Sequence, residues 1–109
     1  MNAEQLLRNL GVTGTLKGFR FAAYMIELVK QDPTSATQIT KYIYPETAKH
    51  FNVSPSTVER NLRTIVQICW SRGDRNFFEK VAGTRLTFQP TNGMFLDMTA
   101  AFLREQAET

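Results

Sequence analysis

Between Ser54-Pro55 and Gly73 the chain carries Val58, Leu62, Ile65 and Cys69 at intervals of four, three and four, with Ile68 alongside. This is helical spacing, and it predicts one long helix over 55–72 with a buried stripe. Ser54 supplies a cap oxygen, and Pro55 fits the first turn, where its missing N–H costs nothing. Gly73 is placed to close the helix in the left-handed region. Ser56 with Glu59 offers an alternative capping box. Upstream, Pro45 opens a short helix through Phe51. Ala48 stands four positions before Asn52, and Val58 six after it. A small side chain lets two helices approach, and asparagine tolerates the left-handed φ of a tight turn. A β-branched residue then points back into the core. The stretch from about 45 to 72 therefore predicts a helix-turn-helix, and the rest of the chain is expected to hold it.

That rest is short on alternatives. Residues 3–10 predict a helix ended by Gly11. A second helix is expected from Thr15 to Lys30, with Leu16, Phe19, Ala22, Ala23, Ile26 and Val29 inward and Phe21, Met25 and Leu28 widening the stripe. So broad an apolar face belongs at the centre of a core. Asp32-Pro33 repeats the cap-then-proline signal for a helix with Ala36, Ile39 and Ile43 inward. It is expected to stop near Tyr44 because Pro45 follows. Asp74 caps a short helix with Phe77, Phe78 and Val81 apolar, ending at Gly83. Residues 84–89 alternate weakly, but one extended run makes no sheet. Pro90-Thr91-Asn92 restarts a last helix, with Phe95, Met98 and Phe102 inward and Leu103 at the edge. The expectation is a single all-α domain over residues 1–109, with six or seven helices.

The net charge of +3 is unevenly spread. Between Lys41 and Arg75 lie six basic and three acidic residues, while the remainder holds seven of each sign. A local positive excess favours a polyanionic partner. The stripe opposite the buried one holds Ser56, Glu59, Arg60, Arg63 and Gln67, so two arginines face outward in the N-terminal half of the long helix. The second helix of a helix-turn-helix inserts that half into the major groove of double-stranded DNA. There arginine binds guanine O6 and N7 bidentately, and Glu59 accepts from the cytosine amino group. Glu59, Arg60 and Arg63 are the expected base contacts; Lys49, Ser54, Ser56, Thr57 and Thr64 are the expected backbone contacts. The competing reading pairs Glu59 with Arg63 on a solvated helix face, a bond worth only tenths of a kcal/mol. It makes the chain a protein-interaction or antagonist module with little DNA affinity.

Enzyme classes find little support. His50 is the only histidine and Cys69 the only cysteine, too few for a zinc site. Cys69 lies on the buried stripe, where a packed thiol is expected rather than a nucleophile. Gly11, Gly14 and Gly18 lack the preceding strand and lysine-serine ending of a phosphate loop. No catalytic residue, metal or cofactor is assigned. No apolar run approaches the roughly 20 residues of a membrane span, and the N-terminus lacks the pattern of a signal peptide. A cytoplasmic, nucleoid-associated protein is expected.

Four segments, GVTGTLKGFRF at 11–21, ITKYIYPETAKHFNVSPSTVER at 39–60, WSRG at 70–73 and PTNGMF at 90–95, give the chain a recognisable pattern. It resembles the C-terminal DNA-binding domain of the master response regulator of sporulation initiation in endospore-forming Firmicutes. The likeness runs from about Leu6 to Leu103. It implies six helices with the third and fourth forming the helix-turn-helix, tandem binding of two copies to short promoter boxes, and contact with an RNA polymerase sigma factor. By matched position, the family's base-reading glutamate and arginines fall on Glu59, Arg60 and Arg63. The segment tied to sigma-factor activation falls around Ser71–Gly83, making Asp74, Arg75, Glu79 and Lys80 the expected contacts. This chain has Thr57 and Thr64 where the family commonly has basic side chains, which implies a different affinity or preferred sequence. The family's regulator carries a receiver domain ahead of this one, and none fits in 109 residues. A capped helix directly after Met1 favours a complete receiver-less protein over a fragment.

Overall fold

The computed structural model describes residues 1–107. Six α-helices fold around one hydrophobic core: α1 (Ala3–Asn9), α2 (Phe19–Gln31), α3 (Tyr44–Phe51), α4 (Pro55–Arg72), α5 (Arg75–Ala82) and α6 (Asn92–Ala107). The described residues contain no strand, and 84–91 is irregular. Several of the helix starts have a local cause. The Asn2 side chain accepts from the Gln5 amide at 2.8 Å while Gln5 Oε1 accepts from the Asn2 amide at 2.9 Å, a reciprocal box that starts α1. Asp74 accepts from the amides of Asn76 and Phe77 to start α5, which Gly83 ends at φ +74°. The Thr91 hydroxyl accepts from the Met94 amide at 3.2 Å to start α6.

α2 is the central element. Phe19, Phe21, Ala22, Ala23, Met25, Ile26 and Val29 are all buried, and the helix touches α1, α3, α4 and α6. It begins at Phe19, not at Thr15. The residues before it form turns, with the Leu16 amide donating to Thr13 and the Phe19 amide to Leu16. Gly18 explains the late start. A Cβ there would lie 3.0 Å from both Asn61 Cβ and Asn61 O, so the chain passes against α4 where only glycine fits easily.

The expected break before Pro45 is absent. Asp32 caps a 3₁₀ turn over Pro33–Gln38, which runs through a π-type turn over Ile39–Ile43 straight into α3. Tyr44 keeps helical angles (φ −66°, ψ −47°) although proline follows it. The reason is hydrogen-bond accounting. The Tyr44 amide donates to the Ile39 carbonyl, five residues back. The next residue, Pro45, has no N–H to strand in the widened turn.

At the far end of α4, Gly73 is extended (φ −77°, ψ 169°) and not left-handed. Its Cβ would sit 2.4 Å from the Leu10 carbonyl oxygen and 2.6 Å from that of Cys69. Glycine is required there by close backbone approach rather than by φ. Gly11, at φ +97°, faces the same junction, with its imagined Cβ 3.1 Å from Gly73 Cα. α4 also buries more than one stripe: Val66 is as fully covered as Val58, Leu62, Ile65 and Cys69. On α6, Leu103 is 1% exposed and belongs to the core instead of its edge, and Met98 is only half-buried. These departures share a cause. Both helices are covered by several neighbours, and a one-sided stripe underestimates their buried faces.

Candidate nucleic-acid interface

The turn between α3 and α4 is built by Asn52, the one described non-glycine residue with positive φ (φ 57°, ψ 49°). Its reversal lets the Val53 amide reach back to the Ala48 carbonyl at 2.9 Å. Ala48 is 3% exposed and Val58 is fully buried, and α3 packs against α4. A larger residue at 48 would push them apart.

Ser54 caps α4 from an extended backbone, its hydroxyl accepting from the Thr57 amide at 3.2 Å. That makes Ser54, and not the Ser56–Glu59 pair, the capping residue. The Ser54 oxygen also lies 3.1 Å from the Ser56 hydroxyl and 2.9 Å from that of Thr57. Three hydroxyls thus cluster at the start of a long helix, where unpaired amides and the helix dipole favour negative charge.

Beyond the cap, Ser56, Arg60, Arg63 and Gln67 are exposed and Glu59 is half-buried. Arg63 Nη2 donates to Glu59 Oε1, so the i,i+4 ion pair exists in the free protein. Arg60 has no ion pair among the described residues. Thr64 is exposed, but its hydroxyl donates to the Arg60 carbonyl at 3.2 Å. Thr57 is half-buried, engaged by Ser54 and, through its carbonyl, by Asn61 Nδ2 at 2.7 Å. Lys49 is exposed on α3.

A groove of about 830 Å³ runs beside this face, lined by Ile39, Tyr44, Ser56, Glu59, Arg63 and the segment 89–93, among others. Asn92 lies in it. Its side-chain amide donates to the Tyr44 hydroxyl at 3.0 Å and to the Glu59 backbone carbonyl at 3.2 Å. Burial raises the Tyr44 phenol above its usual value, against the opposing pull of the Asn92 bond and the Arg63 charge. The phenol therefore stays neutral at physiological pH. Neither Asn92 nor Tyr44 follows from the helix-turn-helix spacing or the charge pattern. The one local signal was an asparagine just inside a helix that Thr91 already caps, which left its amide free for a distant partner.

Of the residues expected to contact sigma factor, three are employed internally. Asp74 caps α5. The Arg75 guanidinium stacks 3.5 Å above the Trp70 ring and donates to the Trp70 carbonyl at 2.8 Å. Glu79 accepts from the Leu86 amide at 2.8 Å, holding the irregular segment against α5. Lys80 is exposed.

All-α architecture, a helix-turn-helix with a left-handed asparagine, and an arginine-bearing second helix point to one kind of domain. The family model for the sporulation initiation factor Spo0A C terminus matches residues 3–103 of the chain. The chain belongs to this family. Spo0A C-terminal domains are DNA-binding effector domains of the sporulation regulator and not an enzyme family. In this family member α3 and α4 form the helix-turn-helix. No helix among the described residues is long and apolar enough to cross a membrane.

Proposed function

We propose that the chain is a sequence-specific transcription regulator that reads the major groove with the N-terminal half of α4. The observation that carries this reading is the outward stripe of Ser56, Glu59, Arg60 and Arg63 directly after a capped helix start. Arg60 is free to approach a base edge. Arg63 must leave Glu59 to do so, and an exposed i,i+4 pair costs only about 0.3–0.5 kcal/mol to open. A bidentate contact to guanine returns about 1–3 kcal/mol of discrimination. The exchange is favourable, and it frees Glu59 to accept from cytosine. Lys49, and Ser56 once it leaves the Ser54 hydroxyl, then hold phosphates, whereas the Ser54, Thr57 and Thr64 hydroxyls keep their bonds to the backbone or cap and contribute less.

On the resemblance, a second copy on an adjacent box and an RNA polymerase sigma factor are the further partners. A sigma contact would fall on Lys80 and the outer face of α5, because Asp74, Arg75 and Glu79 already serve the fold. The testing experiment is selection of bound sequences from a random DNA pool, followed by a salt titration on the winner. A conserved G-containing motif with affinity falling steeply in salt is the expected result. No enrichment, together with no binding at low salt, would replace this reading with the interaction module.

A further inference from the structure

The PTNGMF segment at 90–95 joins the site through one side chain, and its chemistry is specific. In this segment Pro90 is buried, and the Thr91 hydroxyl takes the α6 cap. Asn92 at the first helical position is thereby released from capping, the usual employment of an asparagine at a helix start. Its amide group has two N–H donors, and both are spent on distant elements: the Tyr44 hydroxyl at the head of α3 and the Glu59 carbonyl on α4. The partners lie 48 and 33 residues away in sequence. A single amide therefore joins α3, α4 and α6 at the groove edge.

The choice of acceptor on α4 matters most. A carbonyl oxygen has two lone pairs, and a carbonyl within a helix normally shows its second one to water. Glu59 instead receives a third helix's donor on the very residue whose side chain belongs to the outward stripe. Helix rotation about its own axis is what carries Glu59, Arg60 and Arg63 toward or away from a base edge. A bond to the backbone at 59 restrains that rotation without consuming any of the three side chains.

We infer that Asn92 is a positioning residue for base recognition, fixing the rotation of α4 relative to α3 and α6. This inference rests on the proposed DNA reading for its consequence, but its structural half can be examined without DNA. Asn92→Ala removes both donors. Asn92→Asp puts an acceptor against the Glu59 carbonyl, while the Tyr44 hydroxyl can turn to donate to the new carboxylate. Tyr44→Phe removes one acceptor and leaves the Glu59 bond.

The experiment pairs two readouts on each variant. The first is amide hydrogen exchange of the free protein. In Asn92→Ala, protection should fall for residues 59–63 and stay unchanged for 66–72, with Tyr44→Phe showing a smaller loss at the same residues. A uniform change along α4, or none, would overturn the inference whatever the protein does with DNA. The second is the ratio of affinity for the selected sequence to affinity for random DNA. It should drop by about tenfold in Asn92→Ala, the scale of one misplaced bidentate contact, and also in Asn92→Asp, which likewise loses the Glu59 bond. Random-DNA affinity of Asn92→Ala should hold within about twofold, because Lys49 lies on α3 and the attraction of positive charge to phosphates does not require one rotation of α4. Equal losses on both DNAs would mean that Asn92 is merely structural. A wild-type protein that fails to discriminate would sink the DNA reading, while the exchange result still decides the restraint. Should Asn92→Asp fail to fold, the alanine and phenylalanine variants carry both comparisons.

Discussion

The N-terminal half of α4 and the junction that joins its far end to α5 use arginine in opposite ways. At the N-terminal end, Arg60 is exposed and unpaired among the described residues, and Arg63 holds only an exposed ion pair. At the junction beyond the other end, Arg75 at the head of α5 is fixed by a ring stack and a carbonyl bond to Trp70, while Arg72, the last residue of α4, is exposed. Gly73 is wedged between two carbonyl oxygens, and Cys69 is sealed in the core. One end of the helix is presented and the other is anchored. The difference teaches that positive charge alone does not locate a binding surface. A guanidinium already committed to a ring and a carbonyl has little left to offer a phosphate, and the site is where commitments are weak.

Substituting at the anchored end should cost stability and leave base reading alone. The largest effect is expected for Gly73→Ala, where a methyl would overlap Leu10 O and Cys69 O, both rigid backbone atoms. A loss of about 3 kcal/mol or more in denaturant unfolding is expected. A variant within about 0.5 kcal/mol of the parent would show that the junction is not an anchor.

Cys69 sharpens the same point through pH. Burial pushes its thiol up to about 12, from an ordinary value near 9. The neutral thiol is favoured by folding, so its contribution is complete below about pH 9 and is lost as the pH rises toward about 12. Over that window stability should fall by up to about 1.4 kcal/mol per pH unit from this group. Comparing alkaline unfolding of the parent with Cys69→Ala isolates the effect, since the variant should show a shallower decline. Parallel curves would mean the thiol is not sealed.

The smallest effect is expected for Arg75→Ala. Losing the stack on Trp70 should cost about 0.5–1 kcal/mol and leave DNA affinity unchanged within twofold at fixed salt. A selective loss of DNA binding in this variant would erase the contrast between the two ends.

How much of this was legible in the chain depended on the range of the cause. Ser54, Asp74 and Asn52 act within a few residues, and the α4 boundaries and the turn followed directly from them. Leu16 extended a helical pattern backward past Gly18, although what stops the helix is its approach to Asn61, far along the chain. The local preference of Pro45 predicts a break, while the π-type turn that accommodates it belongs to a longer helical run. Gly73 was correctly placed as a necessary glycine for the wrong reason, since its partner is Leu10 and not its own φ. On the outward face of α4, the exposure of Arg60 and Arg63 was legible from spacing. Asn92 was not, because nothing near it in sequence reveals a bond to Glu59.

The central claim is that the presented end of α4 reads bases. Its most direct measurement is the binding of Arg60→Ala and Arg63→Ala to the selected sequence and to random DNA, alongside thermal unfolding. Each variant should lose about 1–3 kcal/mol of discrimination while its melting temperature stays at the parent value. Discrimination unchanged in both variants would contradict the account.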